Sequence, residues 1–528
     1  MEGIANNADQ KTSRSLFSIF IIICFANILF NILGLPAVKY LYLGQTVLLG
    51  LLIITSDKTQ IFWALALFTL FEGQGRVLWG YNIIFRLIFD IFLAGLIIRS
   101  SISSKKLINR EVVPNYLVIG IFFHFIWFAL ELFNPNGAGF IAGIATSKIF
   151  IFPFLLFFFI QNFPINLMEV KGQKMLLLFN IFLFLTSIIV IIQNQLDENF
   201  LYGISENYRS LFAKYSAFTG LVYRPWGLSF VPGGMSVLFY LTIPFLLLFK
   251  PSIIVKKNPP LQAFLSLFKW LSISSFFFAS FVSQVRSATL KMVLIVVSFA
   301  FLKFIGSRLK FKRGATALIF VFVFVFTLPL TSNFLEKQGI NFDGALSRYE
   351  GLMDSGMLAN RANFDTFMDI FDERIELPFG YGVGMTQKFL PDFEERRNRH
   401  LDKPKIWFWS NDNLIIFLFL ELGLGAFIYL FIIVAVNVSL FSRLITLLRW
   451  KELTAFSLLA CCSMTVFVLS VFNWGSVALP FNPESFYYWF WAGTGFNVYK
   501  TIKDKRRVQE KSENLDEGEF DSFEIVDV

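Results

Sequence analysis

The chain of 528 residues is 56% hydrophobic and only 16% charged, with a mean hydropathy of +0.63 and a formal net charge of +9. Soluble globular chains are far less apolar, so this composition excludes a soluble enzyme fold and indicates a polytopic membrane protein. The three cysteines, at positions 24, 461 and 462, lie inside apolar runs, so the sequence shows neither a disulfide framework nor a metal-ligand spacing.

Apolar runs long enough to cross a bilayer recur along most of the chain, since a span needs about 20 such residues. They fall near residues 15–35, 38–55, 60–72, 81–98, 115–133, 141–161, 175–194, 232–249, 262–282, 286–304, 315–331, 412–436, 453–472 and 484–500. The first run is not followed by a small-residue cleavage site, so we expect a retained first helix. The predicted fold class is an all-α polytopic membrane protein with about 12–14 transmembrane helices.

Lysine and arginine collect in the short loops that this topology places on one side of the membrane, together with the amino terminus. Short cytoplasmic loops retain such residues, so we expect both termini in the cytoplasm. The residues are Lys105, Lys106, Arg110, Lys171, Lys174, Lys256, Lys257, Arg308, Lys310, Lys312, Arg313, Arg443, Arg449, Lys451, Lys503, Lys505, Arg506 and Arg507.

The predicted domain organisation follows from the two long interruptions between spans. About eleven transmembrane helices occupy residues 1–331, with an external loop at 195–231. A large external loop follows at 332–411, and the carboxyl-terminal transmembrane helices occupy 412–500. The tail over 501–528 is acidic at its end and poor in apolar residues, which predicts a disordered cytoplasmic segment.

The large external loop is predicted to contain an amphipathic helix and a glycine-rich turn. Apolar residues recur at helical spacing at Phe364, Phe367, Met368, Phe371 and Ile375. Pro378 ends this helix, and Gly380, Gly382 and Gly384 then permit a sharp bend or a close backbone approach. The alternative interpretation is a helix lying on the membrane surface, followed by an ordinary turn.

Three arginines are predicted on the external face. Arg224 lies in YRPWGLSFVPGG, Arg286 lies in SQVRSA at the junction of two helices, and Arg361 begins the external amphipathic helix. A guanidinium group is always charged and offers a planar fork of donors, which suits a phosphate or pyrophosphate. The alternative for each arginine is interfacial snorkelling or pairing with a loop carboxylate.

Several ionisable residues are predicted at membrane depth, where such groups face a cavity or a partner. Lys291 follows Arg286 on the same helix, and Lys148 lies inside another span, so both are candidates for a positively charged vestibule. Arg86 and Asp90 are four residues apart on one helix, which predicts a structural ion pair.

A candidate catalytic carboxylate stands where the chain re-enters the membrane. Asp412 lies between Asn411 and Asn413 at the start of a predicted helix. It is either a helix cap or a group that orients or deprotonates a hydroxyl, with His400 as a second choice of base. Glu421 lies farther along the same helix, where a carboxylate needs a partner.

Signatures of soluble enzymes are lacking in the sequence. The alternating glycines are not preceded by a strand, so they do not form a dinucleotide fingerprint, and there is no phosphate loop, serine elbow or zinc motif. We therefore expect no metal ion, no cofactor and no nucleic-acid partner.

In this order, RPWGLSFVPGG, SQVRSATL, NRANF…ELPFGYGVGM and SNDNLIIFLFLELGLG resemble the O-antigen ligase and O-antigen polymerase superfamily of bacterial envelope proteins. The resemblance covers roughly residues 220–430. It implies that Arg224, Arg286 and Arg361 hold the pyrophosphate of an undecaprenyl-linked glycan in the bacterial inner membrane. It further implies metal-independent transfer of glycan, with inversion, to an acceptor glycan or lipid, and other polysaccharide assembly proteins as partners.

One departure from the family pattern bears on the reaction. Ligases of this superfamily usually carry histidine where this chain has Asp412, whereas many polymerases tolerate aspartate, so the resemblance favours a polymerase of repeat units. The glycines in Glu-Leu-Gly-Leu-Gly are also closer together than is usual in the family. The predicted catalytic residues are Asp412, Arg286 and Arg361, and the predicted substrate-binding residues are Arg224, Lys291, Gly380, Gly382, Gly384 and Asn413.

Two alternative functions remain open from the sequence. A ligase would move finished glycan to lipid A core or to another acceptor. A transporter would carry polysaccharide or a lipid-linked sugar and perform no chemistry. The sequence disfavours a transporter because its polar residues gather at one outer face rather than at the middle of the membrane.

Overall fold

The structure is a computed structural model that describes residues 2–80, 82–103, 113–161, 167–196, 198–212, 224–307, 378–385, 414–472, 479 and 481–520. All regular elements in these ranges are helices. They are α1 (Glu2–Ile32), α2 (Val38–Thr55), α3 (Lys58–Leu78), α4 (Ile83–Ser103), α5 (Asn115–Glu131), α6 (Phe140–Ala145), α7 (Ser147–Phe150), α8 (Phe152–Gln161), α9 (Val170–Gln195), α10 (Glu198–Ile204), α11 (Met235–Leu248), α12 (Pro251–Ile254), α13 (Pro259–Val282), α14 (Arg286–Ser307), α15 (Leu414–Leu422), α16 (Gly425–Arg449), α17 (Leu453–Phe472) and α18 (Glu484–Phe520). Residues 207–212 are also helical.

The predicted all-α character is confirmed for this part of the chain. It contains nine stretches that are helical, long and apolar enough to cross a membrane. The predicted runs all coincide with a helix or a group of helices, except 315–331, which lies outside the described residues. The shortest run, 60–72, belongs to a helix of 21 residues, since Glu72 and Gln74 continue it as buried polar side chains. The chain is therefore built as a multi-pass membrane protein.

The first half of α18 forms the centre of the bundle. Its residues 486–492 are fully or almost fully buried, and it packs against α8, α11, α16 and α17. Trp489 lies 4.8 Å from Phe154 between ring centroids, and Trp491 lies 4.6 Å from Phe245. The indole N–H of Trp491 donates a 3.0 Å hydrogen bond to the Leu241 carbonyl on α11. Large aromatic rings fill the gaps between helices here, which explains part of the high phenylalanine content.

The prediction of one continuous span over 412–436 is wrong. The structure breaks it into α15 and α16 at Gly423, which has a φ of +53°. The rings of Phe419 and Phe427, one on each side of the break, approach to 5.0 Å between centroids. The chain therefore turns between the two helices. The predicted span over 141–161 is confirmed as one membrane-crossing stretch, Phe140–Gln161, in which single turn residues at Thr146 and Ile151 separate α6, α7 and α8.

The last helix extends beyond its predicted membrane span. Helix α18 continues through residues 501–520, which the sequence assigned to a disordered segment, and only 521–528 lie outside the described residues. The extension is rich in lysine, arginine, glutamate and glutamine, which lose little side-chain freedom in a helix. Low hydrophobicity thus did not prevent helix formation.

Antiparallel packing defines two ends of the bundle. One end holds the last turn of α3, the last turn of α5 and the first turns of α4, α6, α11, α14 and α18. We call it the loop end, because the irregular segments 224–234 and 378–385 lie there. The opposite end, which we call the basic end, holds Lys171, Lys256, Lys257 and Lys451.

Candidate functional site

The segment 224–234 has no helix or strand, yet most of it is buried; we call it the arginine loop. Gln193 on α9 holds it in place. Its Oε1 accepts hydrogen bonds from the backbone N–H groups of Trp226 (3.0 Å) and Gly227 (2.7 Å), and its Nε2 donates to the Gly227 carbonyl (3.2 Å). Irregular backbone in an apolar setting needs such replacement partners, so the arginine loop is a built part of the site.

Helix α3 supports the arginine loop from one side. A Cβ added to Gly73 would lie 2.7 Å from the Phe230 amide nitrogen, so helix and loop backbones touch at this point. One turn later the guanidinium of Arg76 lies 4.5 Å from the centroid of the Phe230 ring. Arg76 also forms an ion pair with Glu72 on its own helix. This arrangement adds Arg76 to the neighbourhood of the loop.

The turn before α14 supports the loop from another side. A Cβ added to Gly233 would lie 2.9 Å from the carbonyl oxygen of Ser283 and 2.6 Å from Val285. Arg286 follows directly and is the first residue of α14, although its side chain lies outside the described residues. The structure thus brings the loop that carries Arg224 next to the helix start that carries Arg286.

Arg224 opens the arginine loop with a side chain that is partly exposed. Its Nε is buried and has no hydrogen-bond partner among the residues that the structure describes. A buried guanidinium N–H without an acceptor is costly, because its hydration is lost and nothing replaces it. An anion bound at the loop end would supply such an acceptor.

Lys291 lies one and a half turns below Arg286 and is only 4% exposed. Its Nζ is 4.7 Å from the centroid of the Tyr240 ring on α11, a cation–π contact. The Tyr240 hydroxyl donates a 3.4 Å hydrogen bond to Glu484 Oε1, and Glu484 interacts electrostatically with Lys291. We call Tyr240, Lys291 and Glu484 the lysine triad.

Lys148 forms a cross-helix ion pair. Its Nζ donates to Asp90 Oδ2 at 3.2 Å, and Asn482 Nδ2 donates to Asp90 Oδ1 at 2.8 Å. Asp90 therefore has a partner on another helix, whereas the sequence paired it with Arg86, whose side chain lies outside the described residues. The predicted positive vestibule is thus occupied by carboxylates as well as by lysines.

These pairs form one network at the loop end. Glu72 interacts electrostatically with Asp90 and Lys148, and Glu484 interacts with Glu72. Among the residues that the structure describes, three carboxylates and three cations from five helices form this network, so the formal charge of the network is zero. The members are Glu72, Arg76, Asp90, Lys148, Lys291 and Glu484.

The segment 378–385, which we call the glycine turn, is wedged between α5 and the break between α15 and α16. The Tyr381 N–H donates to the Leu420 carbonyl (2.9 Å), and the Leu424 N–H donates to the Pro378 carbonyl (2.7 Å). The Phe379 ring stacks on Trp127 of α5 with centroids 5.0 Å apart. The turn thereby satisfies backbone groups that the helix break exposes.

The three predicted substrate-binding glycines of this turn have a structural reason to be glycine. Gly380, Gly382 and Gly384 have φ angles of +64°, +86° and +89°, which L side chains rarely adopt. A Cβ on Gly382 would lie 2.7 Å from the Cα of Gly137. The prediction of a sharp bend and a close backbone approach is confirmed, while their contact with a substrate stays a prediction.

Two carboxylates flank the glycine turn. Glu421 is fully buried and accepts a hydrogen bond from the Gly384 N–H, which is the partner that the sequence required for it. Glu131 of α5 accepts hydrogen bonds from Trp127 Nε1 (3.1 Å) and Asn134 Nδ2 (2.9 Å), and it interacts electrostatically with Glu421. Glu421 thus holds the turn directly, whereas Glu131 orients Trp127, whose ring stacks on Phe379.

The remaining predicted site residues lie outside the described residues. They are Asp412, Asn413, Arg361 and His400, together with the amphipathic helix before Pro378. Asp412 and Asn413 directly precede α15, whose own residues are buried except for the half-buried Ile415. The catalytic assignment of Asp412 stays a prediction.

Sequence reasoning missed Arg76, Tyr240, Glu484 and Gln193. Glu484 stands at the first residue of a predicted span, and Gln193 near the end of another, where polar residues are ordinary. The burial of a charged residue can be recognised only when its neighbours on other helices are known. The available signal was an ionisable residue inside or beside an apolar run.

The described part of the chain contains no group of three or more histidine, cysteine, aspartate and glutamate side chains placed to hold a metal ion. Its class is that of an all-helical, multi-pass membrane protein with an irregular, arginine-bearing loop packed at one end. The chain matches none of the protein families, curated proteins or solved structures with which it was compared.

Proposed function

We propose that this chain is a membrane glycosyltransferase that polymerises undecaprenyl-pyrophosphate-linked oligosaccharide repeat units on the external face of a bacterial inner membrane. The observation that carries the proposal is the buried Nε of Arg224, which has no partner in the described part of the chain, in a loop packed beside the start of α14. Arginines in a water-poor site suit the pyrophosphate of a lipid carrier. The loop end would then face the exterior.

The proposed mechanism needs charge stabilisation more than proton donation. When the acceptor hydroxyl attacks the anomeric carbon, the glycosidic C–O bond to the pyrophosphate breaks and negative charge develops on the leaving group. Arg224, Arg286 and Arg361 stabilise this charge as it forms. Asp412 accepts the proton of the attacking hydroxyl, and the new C–O bond forms with inversion. The family resemblance and the placement of the arginine loop support these roles.

The glycine turn gives this mechanism a rigid wall. Gly380 and Gly382 approach neighbouring backbone closely, so a bulky glycan cannot displace the turn without breaking its hydrogen bonds to Leu420 and Leu424. We assign Gly380, Gly382 and Gly384 to positioning of the substrate chain beside the arginines. Asn413 would assist Asp412 at the start of α15.

Transport is a second candidate, and particular observations favour it. The helices α6–α8 and α15–α16 are broken, and the ion pairs lie about two turns inside the bundle, which are features of transporters. A transporter would move a lipid-linked sugar across the membrane without changing its length. A size ladder of the glycan distinguishes a polymerase, a transporter and a ligase from one another.

The test is a size ladder of glycan from a deletion strain, divided into carrier-bound and acceptor-bound fractions. If the chain is a polymerase, single repeat units still reach the acceptor and long chains disappear. A ligase deletion accumulates long glycan on undecaprenyl pyrophosphate, and a transporter deletion leaves the acceptor without any glycan. Either of these latter ladders would overturn the proposal.

Point variants in the same strain test the assigned residues. Arg286→Lys keeps the charge but loses the planar fork, so we expect the deletion ladder with normal membrane insertion. Asp412→Asn keeps a helix-capping side chain but cannot take a proton, and we expect the same ladder. An unchanged ladder in Asp412→Asn would assign that residue to capping alone.

A further inference from the structure

We infer that Glu484 and Tyr240 are positioning residues that hold Lys291, and through α14 hold Arg286, at the loop end. The inference rests on the proposed function and changes the role of Lys291 from direct substrate contact to support of the arginine. It assigns a role to a buried carboxylate that the mechanism above does not use.

The geometry of the lysine triad joins three helices. Tyr240 belongs to α11, Lys291 to α14, and Glu484 begins α18. The ring of Tyr240 faces Nζ of Lys291 at 4.7 Å, while its hydroxyl donates to Glu484 at 3.4 Å. One tyrosine thus contacts both charged partners, so a shift of α14 disturbs the cation–π contact and the electrostatic attraction together.

The anchor lies close to the residue that it would position. Lys291 is five residues after Arg286, about 7.5 Å along the helix axis. A second contact, a 3.0 Å hydrogen bond between the hydroxyls of Ser280 and Thr289, ties the same turn of α14 to α13. Together the two contacts fix the rotation and height of the start of α14, and therefore the position of the Arg286 backbone.

Charge accounting argues against Lys291 as the direct anion ligand. The described network at the loop end already has one carboxylate for each cation. Glu484 is the carboxylate that interacts with Lys291. A pyrophosphate would have to compete with these carboxylates inside a buried interior, where separating charges is costly. Arg224, whose buried Nε has no partner in the described part, faces no such competition.

The test is equilibrium binding of undecaprenyl pyrophosphate to the purified full-length chain in nanodiscs. We expect Glu484→Gln to weaken binding about tenfold or more, because Lys291 loses its attraction to the Glu484 carboxylate and α14 shifts. Tyr240→Phe keeps the ring over Lys291 but loses the hydroxyl, so it weakens binding about two- to fivefold. The exchange Glu484→Lys with Lys291→Glu restores the attraction and recovers most of the affinity.

A double-mutant cycle separates positioning from a general loss of structure. If Glu484 acts through Arg286, then Glu484→Gln changes binding less than about twofold in an Arg286→Ala background. The control is Lys269→Met, a half-buried lysine, which donates to the Leu247 and Phe249 carbonyls at the basic end. We expect its affinity per folded molecule to equal that of the wild type.

Two results would overturn the inference while leaving the proposed function standing. One is wild-type affinity in both Glu484→Gln and Tyr240→Phe. The other is a loss in Glu484→Gln that is just as large in the Arg286→Ala background. Failure of the wild-type chain itself to bind undecaprenyl pyrophosphate would instead count against the proposed function.

Discussion

The charged residues at the two ends of the bundle have different kinds of partner. At the loop end, Lys148 pairs with Asp90 of another helix, and Lys291 shares the lysine triad with Glu484. At the basic end, Lys269 donates to the terminal carbonyls of α11, and Arg506 lies 4.7 Å from the centroid of the Trp450 ring. These basic-end cations contact carbonyls and aromatic rings, whereas the loop-end lysines also interact with carboxylates of other helices.

The two ends of the bundle also differ in how irregular their backbone is. The loop end contains the arginine loop, the glycine turn and the break between α15 and α16, all held by specific side chains such as Gln193 and Glu421. Where the structure describes them, the connections at the basic end are short, for example the three residues between α16 and α17. Irregular backbone that needs dedicated support is a feature of binding sites, which places the candidate site at the loop end.

The largest expected effect concerns the sidedness of the two ends. A cysteine at Asn136, in the exposed connection between α5 and α6, tests the loop end, and one at Lys257 tests the basic end. A membrane-impermeant maleimide should label Asn136→Cys in intact cells and Lys257→Cys only after the membrane is opened. The native cysteines are buried, so background labelling is low. Labelling of both variants in intact cells would contradict the proposed topology.

The next largest effect should follow from Gly382→Ala in the glycine turn. The new Cβ would lie 2.7 Å from the Cα of Gly137 at a φ of +86°, so we expect a loss of about 3 kcal/mol in the free energy of unfolding. Denaturant titration in mixed micelles measures this free energy of unfolding. The matched control is Gly50→Ala on α2, whose Cβ would meet Phe92 at an ordinary 3.7 Å. Equal stability of the two variants would show that the turn is not rigid.

One substitution made at both ends gives the sharpest comparison. Lys148→Met leaves Asp90 buried without its cation, and we expect a loss of about 2–3 kcal/mol in the free energy of unfolding. Lys256→Met removes an exposed lysine at the basic end, so its free energy of unfolding should change by less than about 0.5 kcal/mol. The same titration measures both. Similar losses would remove the distinction between the two ends.

Much of the fold could be predicted because lipid leaves few structural choices. Backbone polar groups in a bilayer must be satisfied within the segment, so apolar runs such as 175–194 had to become helices, here α9. The break at Gly423 could not be predicted in this way. The apolar run over 412–436 continues through this position. Two hydrogen bonds with the distant glycine turn make the bend favourable: the Leu424 N–H donates to the Pro378 carbonyl, and the Tyr381 N–H donates to the Leu420 carbonyl.

The candidate site also has some features that the local sequence indicated and others that only tertiary packing decided. Local chemistry in the sequence indicated Arg224, the three glycines of the turn and the need of Glu421 for a partner. Those inferences depend on a few neighbouring residues, because φ preferences and the cost of a buried charge are local properties. The pairing of Lys148 with Asp90 was decided only in the tertiary structure, since the two are 58 positions apart in the chain.

The sequence by itself determined that this protein is helical, crosses a membrane several times and concentrates lysine and arginine in one set of loops. Those properties depend on composition and on hydrophobic length, which are additive along the chain. Only the tertiary structure decided that Glu484 stands beside Tyr240 and Lys291, and that Gln193 supports the arginine loop. These contacts depend on how distant helices rotate and pack against each other, and a linear pattern does not contain that rotation.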